Sequence, residues 1–168
     1  QKMEIIKKYQ PTILLENNFT KKFYDNSPVT KSAKNEAIFL TVKKERINLI
    51  KKTDAKKTFQ LAESDKVILF GTFNLDAPHK GGRILEEILK IFISIKKKVN
   101  NSHSNKIKLI TFGRKYNFKI DIPEIEWIHL KEIFDDKKLN LLYRSSDVFV
   151  SPSTGCNGPA TIREALVN

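Results

Sequence analysis

Beyond residue 63 the apolar positions of the chain fall into two alternating rhythms. Lys66 to Gly71 (Lys-Val-Ile-Leu-Phe-Gly) is a continuous apolar run closed by glycine, which is how a strand covered on both faces reads. Gly81 to Lys97 carries Ile84, Ile88, Ile91 and Ile95 at helical spacing, supported by Leu85, Leu89 and Phe92, and predicts an amphipathic helix. Lys106 to Gly113 predicts a second strand, Glu126 to Leu130 a third and Asp147 to Ser151 a fourth. Asp135 and Asp136 stand where a helix start takes a cap and a negative charge, and Leu139, Leu142 and Tyr143 give that helix an apolar face. Pro159 suits the first turn of a last helix, whose buried side is Ile162, Ala165 and Leu166.

Strands alternating with helices predict an α/β fold, a Rossmann-like parallel sheet with helices on both faces. Such sheets bind ligands outside the carboxyl ends of their strands. That rule singles out segments 72–80, 113–118 and 151–159. The first 62 residues are less regular and read as a linker-like segment packing on a core formed by 63–168. Ile5, Ile6 and Tyr9 share one helical face, and Phe19, Phe23 and Tyr24 make a second short amphipathic stretch. Ala37 to Val42 reads as a strand, and Lys51 to Leu61 as a short helix carrying Ala55, Phe59 and Leu61. Asn100 to Asn105 reads as a polar loop.

Composition narrows the class. With 168 residues, 40% hydrophobic and only six glycines and six prolines, the chain is globular and large enough for one sizeable core. Cys156 is its one cysteine, so no intrachain disulfide forms, and a reducing compartment fits. No apolar run approaches the roughly 20 residues of a membrane span, and no apolar leader follows the N-terminal Gln-Lys-Met-Glu. That start, without an initiator methionine, suggests an excised segment. The net charge of +12 admits a nucleic acid, a membrane surface or a phosphorylated substrate as partner, and equally a solvated lysine-rich face. The lysines are scattered, with no arginine-rich arm and no zinc-ligand or basic-zipper spacing.

Two segments carry candidate chemistry. Gly71-Thr-Phe-Asn-Leu-Asp-Ala-Pro-His-Lys80-Gly81-Gly82 runs from strand to helix. A lysine beside glycines at a helix start suits a phosphate, although neither the Walker A order nor the dinucleotide fingerprint is present. Ser151-Pro-Ser-Thr-Gly-Cys156-Asn157-Gly158-Pro159-Ala160-Thr161-Ile162-Arg163-Glu164-Ala165-Leu166 is a small-residue loop opening into a helix. There Gly158 permits close approach to the backbone, and the N–H groups of Ala160 and Thr161 face an anion. An ordinary connecting loop and a solvent-facing Glu164 are the bland alternatives.

Together these segments resemble the C-terminal, donor-binding domain of family-4 retaining glycosyltransferases, the group 1 enzymes of the GT-B fold. Lys80-Gly81 resembles the Lys-Gly after that domain's first strand. Leu141-Leu-Tyr-Arg-Ser-Ser-Asp-Val-Phe-Val-Ser-Pro-Ser153 resembles its Leu-Tyr-x-x-Ala-Asp-Val-Phe-Val-x-Pro-Ser signature. Gly158 to Leu166 resembles the segment around its Glu-x7-Glu motif. The likeness covers 64–168 well and 11–61 only faintly.

The resemblance implies that the chain binds a UDP- or GDP-sugar as donor substrate, with no other cofactor and no metal. The hexosyl group passes with retention to a glycan or lipid-linked acceptor, as in polysaccharide biosynthesis. It implies Lys80 and Glu164 as catalytic residues, Lys80 on the donor diphosphate and Glu164 on the ribose hydroxyls. Gly71, Asn74, Gly81, Arg114, Cys156, Asn157, Gly158, Pro159 and Ala160 complete the donor site. A cytoplasmic location is implied, with peripheral association at the inner face of the membrane left open.

The chain departs from the family in three places. Cys156 stands at the first Glu of Glu-x7-Glu, and a thiol does not replace a carboxylate acceptor. Thr72-Phe73 stands where many members have Gly-Arg, with Arg83 or Arg114 as the compensating cation. The chain stops at Asn168, before the family's next strand. The resemblance therefore predicts a domain truncated at its C-terminus, an acceptor domain missing on the N-terminal side, and weak or no transfer by the chain alone. Two alternatives are kept, a basic α/β nucleic-acid-binding module and an inert remnant of a glycosyltransferase. Of the histidines, which lack metal-ligand spacing, His103 reads as loop surface and His129 as a half-buried structural residue, with contact between its loop and the nucleotide base as the lesser alternative.

Overall fold

A computed structural model describes residues 1–38, 41–42, 50–99, 107–155 and 160–168. They form two compact units, Gln1–Thr41 and a larger one beginning at Val42.

In the first unit, α1 (Lys2–Tyr9) ends where Gln10 turns left-handed (φ 43°) and returns its N–H to Ile6 O. β1 (Thr12–Leu15) and β2 (Lys34–Ala37) pair in parallel, Thr12 opposite Lys34. α2 (Asn18–Asn26) connects them, and the Asn17 side chain caps it by accepting from the Thr20 N–H at 2.8 Å. Of the strand expected over Ala37 to Val42, residues 39–40 lie outside the described residues, and the strand found ends at Ala37. Pairing with β1 and an inward-turned Asn35 select 34–37, not apolar content. The Asn35 amide donates to Asp25 Oδ1 (3.1 Å) and Thr30 O (3.2 Å).

The second unit runs α3 (Lys52–Thr58), β3 (Lys66–Asn74), a 3-10 turn at Pro78–Lys80, α4 (Gly82–Val99) and β4 (Ile107–Arg114). β5 (Ile125–Leu130), α5 (Asp136–Ser145), β6 (Val148–Phe149) and α6 (Ala160–Leu166) follow. The four strands form one parallel sheet in the order β5-β4-β3-β6. This is the α/β sheet, helices on both faces, that the periodicity predicts.

The continuous apolar run of β3 is explained by its two faces. Val67 and Leu69 pack with Leu142 and Tyr143 of α5 and with Leu61, while Ile68 and Phe70 pack with Leu85, Leu89 and Ile93 of α4. On α4 the leucines are buried, and the ridge Ile84, Ile88, Ile91, Ile95 is exposed. α3 joins this unit through a fully buried Ala55, although it precedes the change of pattern near residue 63. Asp135 caps α5 by accepting from the N–H groups of Lys137 (2.8 Å) and Lys138 (3.3 Å).

The amino edge of the sheet is pinned by charge. Asp147 Oδ2 accepts from the Val67 N–H at 2.8 Å, and Oδ1 accepts from Lys52 Nζ at 2.6 Å. Lys56, almost wholly buried, donates to Asp65 O (2.6 Å) and Glu63 O (3.0 Å) and lies 3.7 Å from Asp147 Oδ2. The Asp147 N–H donates to Val67 O at 2.8 Å. Asp147 therefore locks the start of β6 to the start of β3, and β6 itself is two residues long, shorter than the 147–151 run suggests.

Candidate functional site

The carboxyl edge of the sheet gathers the three loops singled out above. β3 runs to Asn74, three residues past Gly71, so the expected loop 72–80 begins later. The extension is irregular, because Gly71 faces Phe112 but Asn74 faces Arg114. Thr72 and Phe73 thus stand against Gly113 alone, a bulge. Gly113 has φ 115°, and a Cβ there would fall on Thr72 O.

From Asn74 the chain turns through an Asx-type bond, Asp76 N–H to Asn74 Oδ1 at 3.0 Å. Asp76 then reaches across to the loop after β4, accepting from the N–H groups of Tyr116 (2.6 Å) and Asn117 (2.9 Å). The Tyr116 N–H above all holds its carboxyl below the usual range. Leu75 N–H donates to Arg114 O at 2.9 Å. A cleft of about 620 Å³ lies between these loops and the start of α4, lined among others by Leu75, Asp76, Pro78, Gly82, Arg83 and Phe118.

The same loop is tied to the one after β6. Thr154 N–H donates to His79 O at 3.0 Å. Gly81 is left-handed (φ 78°), and any Cβ would fall on Pro152 O. Lys80, the last residue of the 3-10 turn, therefore sits on a stretch fixed to the loop after β6. Its two anchoring strands, β3 and β6, are the neighbours between which the connections of the sheet change direction, where doubly wound sheets open their ligand crevice.

The sequence-predicted residues divide among four settings. Lys80 and Gly81 lie at that tie. Gly71 is inside the sheet, its missing side chain making room for the Phe112 ring. Asn74 and Arg114 face one another at the ends of β3 and β4, and Arg114 Nε donates to Glu132 Oε1 at 2.7 Å. Cys156, Asn157, Gly158 and Pro159 lie outside the described residues, as do His103 and the loop 100–105. Ala160 opens α6 and is exposed, and Glu164, one turn on, is buried, its Oε2 accepting from the Tyr143 hydroxyl at 3.1 Å. The Tyr143 ring meets Phe112 and Phe149 edge-on. The signature tyrosine is thus a core residue that positions a candidate site carboxylate, a pairing that spacing alone does not reveal.

His129 lies on β5 in a chain of polar contacts. Trp127 Nε1 donates to Thr111 Oγ1 at 2.9 Å, and Thr111 Oγ1 is 3.0 Å from His129 Nδ1. Burial, and then the charge of Lys115, hold its imidazole below its ordinary pKa. Lys115 Nζ also sits 4.6 Å over the Trp127 ring. The half-buried structural histidine expected from sequence is what is found. Sequence reasoning missed Asp76 and Glu132, for which no spacing rule exists. Among the described residues no group of three His, Cys, Asp or Glu is arranged to hold a metal, and no helix is long and apolar enough to cross a membrane.

No protein-family model matches the chain, and no curated protein matches it. Solved structures do. A sucrose-phosphate synthase from Thermosynechococcus elongatus superposes with a TM-score of 0.66 at 15% identity, over 92% of this chain. The chain spans 38% of that protein's length. The fold is that of one Rossmann-like half of a GT-B glycosyltransferase.

Proposed function

We propose that this chain is the donor-binding part of a family-4-type retaining glycosyltransferase. It holds a UDP- or GDP-sugar at the carboxyl edge of its sheet for transfer to a glycan or lipid-linked acceptor. The observation that carries this reading is the tie between the Lys80–Gly81 turn and the loop after β6. Two motifs far apart in sequence meet at the crevice position of a parallel sheet.

In this reading Lys80 places a point charge against the donor diphosphate and stabilises the negative charge that grows as the nucleotide departs. Glu164, oriented by the Tyr143 hydroxyl, takes the ribose hydroxyls. The segment from Cys156 to Ala160 contributes further donor contacts, and Gly71, Asn74, Gly81 and Arg114 form or support the site. The sugar leaves with retention and without a resident metal. A second domain, outside this chain, presents the acceptor and excludes water, so the chain alone binds donor but transfers poorly. The working location is the cytoplasm, at the inner face of the membrane when the acceptor is lipid-linked.

Titration calorimetry with UDP, GDP and ADP tests the reading. One of them binds at a single saturable site, and Lys80→Ala weakens that binding by about 1–3 kcal/mol, the scale of a lost charged hydrogen bond. Absence of saturable binding by all three refutes it. Steeply salt-dependent affinity that grows with oligonucleotide length would favour a nucleic-acid module instead.

A further inference from the structure

Phe73 is a large apolar side chain left 68% exposed at the carboxyl edge, and the bulge at Gly113 is what turns it out. Its ring is not idle in solvent. The Arg114 guanidinium lies over it, 4.6 Å from the ring centroid. Glu132, two residues beyond β5, fixes that guanidinium by accepting from Nε at 2.7 Å. Three adjacent strand ends therefore cooperate to hold an aromatic–guanidinium pair at the edge where sheets of this kind bind ligands. Among the described residues the terminal nitrogens of Arg114 make no hydrogen bond, so the pair is open to a ligand.

We propose that Phe73 and Arg114 form a stacking platform for the nucleobase of the donor, with Glu132 as the positioning residue that sets the plane of Arg114. This deepens the nucleotide-sugar reading and rests on it. The chemistry favours a base because both members of the pair present π-faces, and a planar heterocycle stacks on either at little cost in side-chain freedom. Phe73 lies near the end of β3, just before the loop whose far end carries Lys80, so the platform and the proposed phosphate contact lie on one connected stretch. The preference is for ring area over hydrogen-bond pattern, which makes purine nucleotides the better ligands of the platform.

The test uses the whole chain and GDP, the purine nucleotide of the proposed donors, as probe, with calorimetry for affinity and proton NMR of the ligand. Phe73→Ala weakens GDP by about 5- to 150-fold, the range of base–aromatic stacking, and Phe73→Trp restores it. Glu132→Gln weakens GDP less than Arg114→Ala does. On the wild-type chain the guanine H8 resonance moves upfield under the ring current, and on Phe73→Ala it does not. Circular dichroism melts of Phe73→Ala match the wild type, since the ring is exposed. Unchanged GDP affinity in Phe73→Ala, an unshifted guanine H8 on the wild type, or a wild-type chain that binds UDP but not GDP overturns the platform. If Lys80→Ala still weakens nucleotide binding in that case, the donor reading survives alone. A wild-type chain that binds no nucleoside diphosphate overturns both.

Discussion

Replacing Asp147 by alanine tests how the sheet is held at its amino edge. The substitution removes an ionised acceptor from the Val67 N–H (2.8 Å) and from Lys52 (2.6 Å). It also takes the nearest anion, 3.7 Å away, from the buried Lys56 ammonium. A hydrogen bond to a charged group contributes about 1.5–3 kcal/mol. The Lys52 pair is 40% exposed on the lysine side and adds a few tenths of a kcal/mol at most, about the value of an exposed ion pair. Lys56 keeps two carbonyl acceptors, so its loss is partial. Together these give about 2–4 kcal/mol, or roughly 4–16 °C in Tm for a chain of this size. Asp147→Asn keeps an acceptor and loses the charge, so it falls about midway. Burial opposes ionisation of Asp147, but Lys52, the Val67 N–H and the charge of Lys56 outweigh it and hold the carboxyl below its ordinary value. The folded-state pKa is thus the lower one. The contribution is present above the unfolded pKa and is lost as pH falls through the folded value. Urea unfolding of wild type, Asp147→Asn and Asp147→Ala at pH 7, repeated below about pH 4, reads both effects. A loss under about 0.5 kcal/mol for Asp147→Ala, or a gap that does not narrow in acid, refutes the account.

Two further predictions follow from the carboxyl side. Gly81→Ala strains a left-handed residue and displaces Pro152 O, costing at least about 1–2 kcal/mol; a thermal melt checks the stability, and nucleotide titration checks that affinity falls with it. His129 titrates below 6.5 because burial and Lys115 disfavour its charged form, so its contribution is present above pH 6.5 and lost as pH falls toward the folded value; the histidine Cε1 proton, followed by NMR, shows a depressed midpoint, and a midpoint at or above 6.5 contradicts the assignment.

Much of the larger unit was legible because burial on both faces leaves a plain mark. Lys66 to Gly71 and Lys106 to Gly113 read as strands since their described apolar side chains are packed into the core on both faces of the sheet. The helix Asp136–Ser145 was legible from its cap and its apolar face, and both act as expected. The strand Lys34–Ala37 was not legible, for Lys-Asn-Glu-Ala has no apolar alternation and its pairing is decided by a segment some twenty residues earlier in the chain. The bulge at Gly113 escaped for the same reason, as the extra residue is visible only once β3 and β4 are in register. At the candidate site, Lys80 and Glu164 could be named from motif spacing. Their supports could not, because the Asp76 clamp, the Glu132 contact with Arg114 and the Tyr143 hydroxyl on Glu164 each join different elements.

The contact between Gly81 and Pro152 O also bears on how such a chain can drift. A side chain at 81 has nowhere to go unless the carbonyl at 152 retreats, and that carbonyl lies in the loop whose Thr154 holds His79. The two loops therefore behave as one heritable unit. Change at either is tolerated only with an answering change in the other, and a sequence that lengthened one loop alone would pull the Lys80 turn away from the crevice.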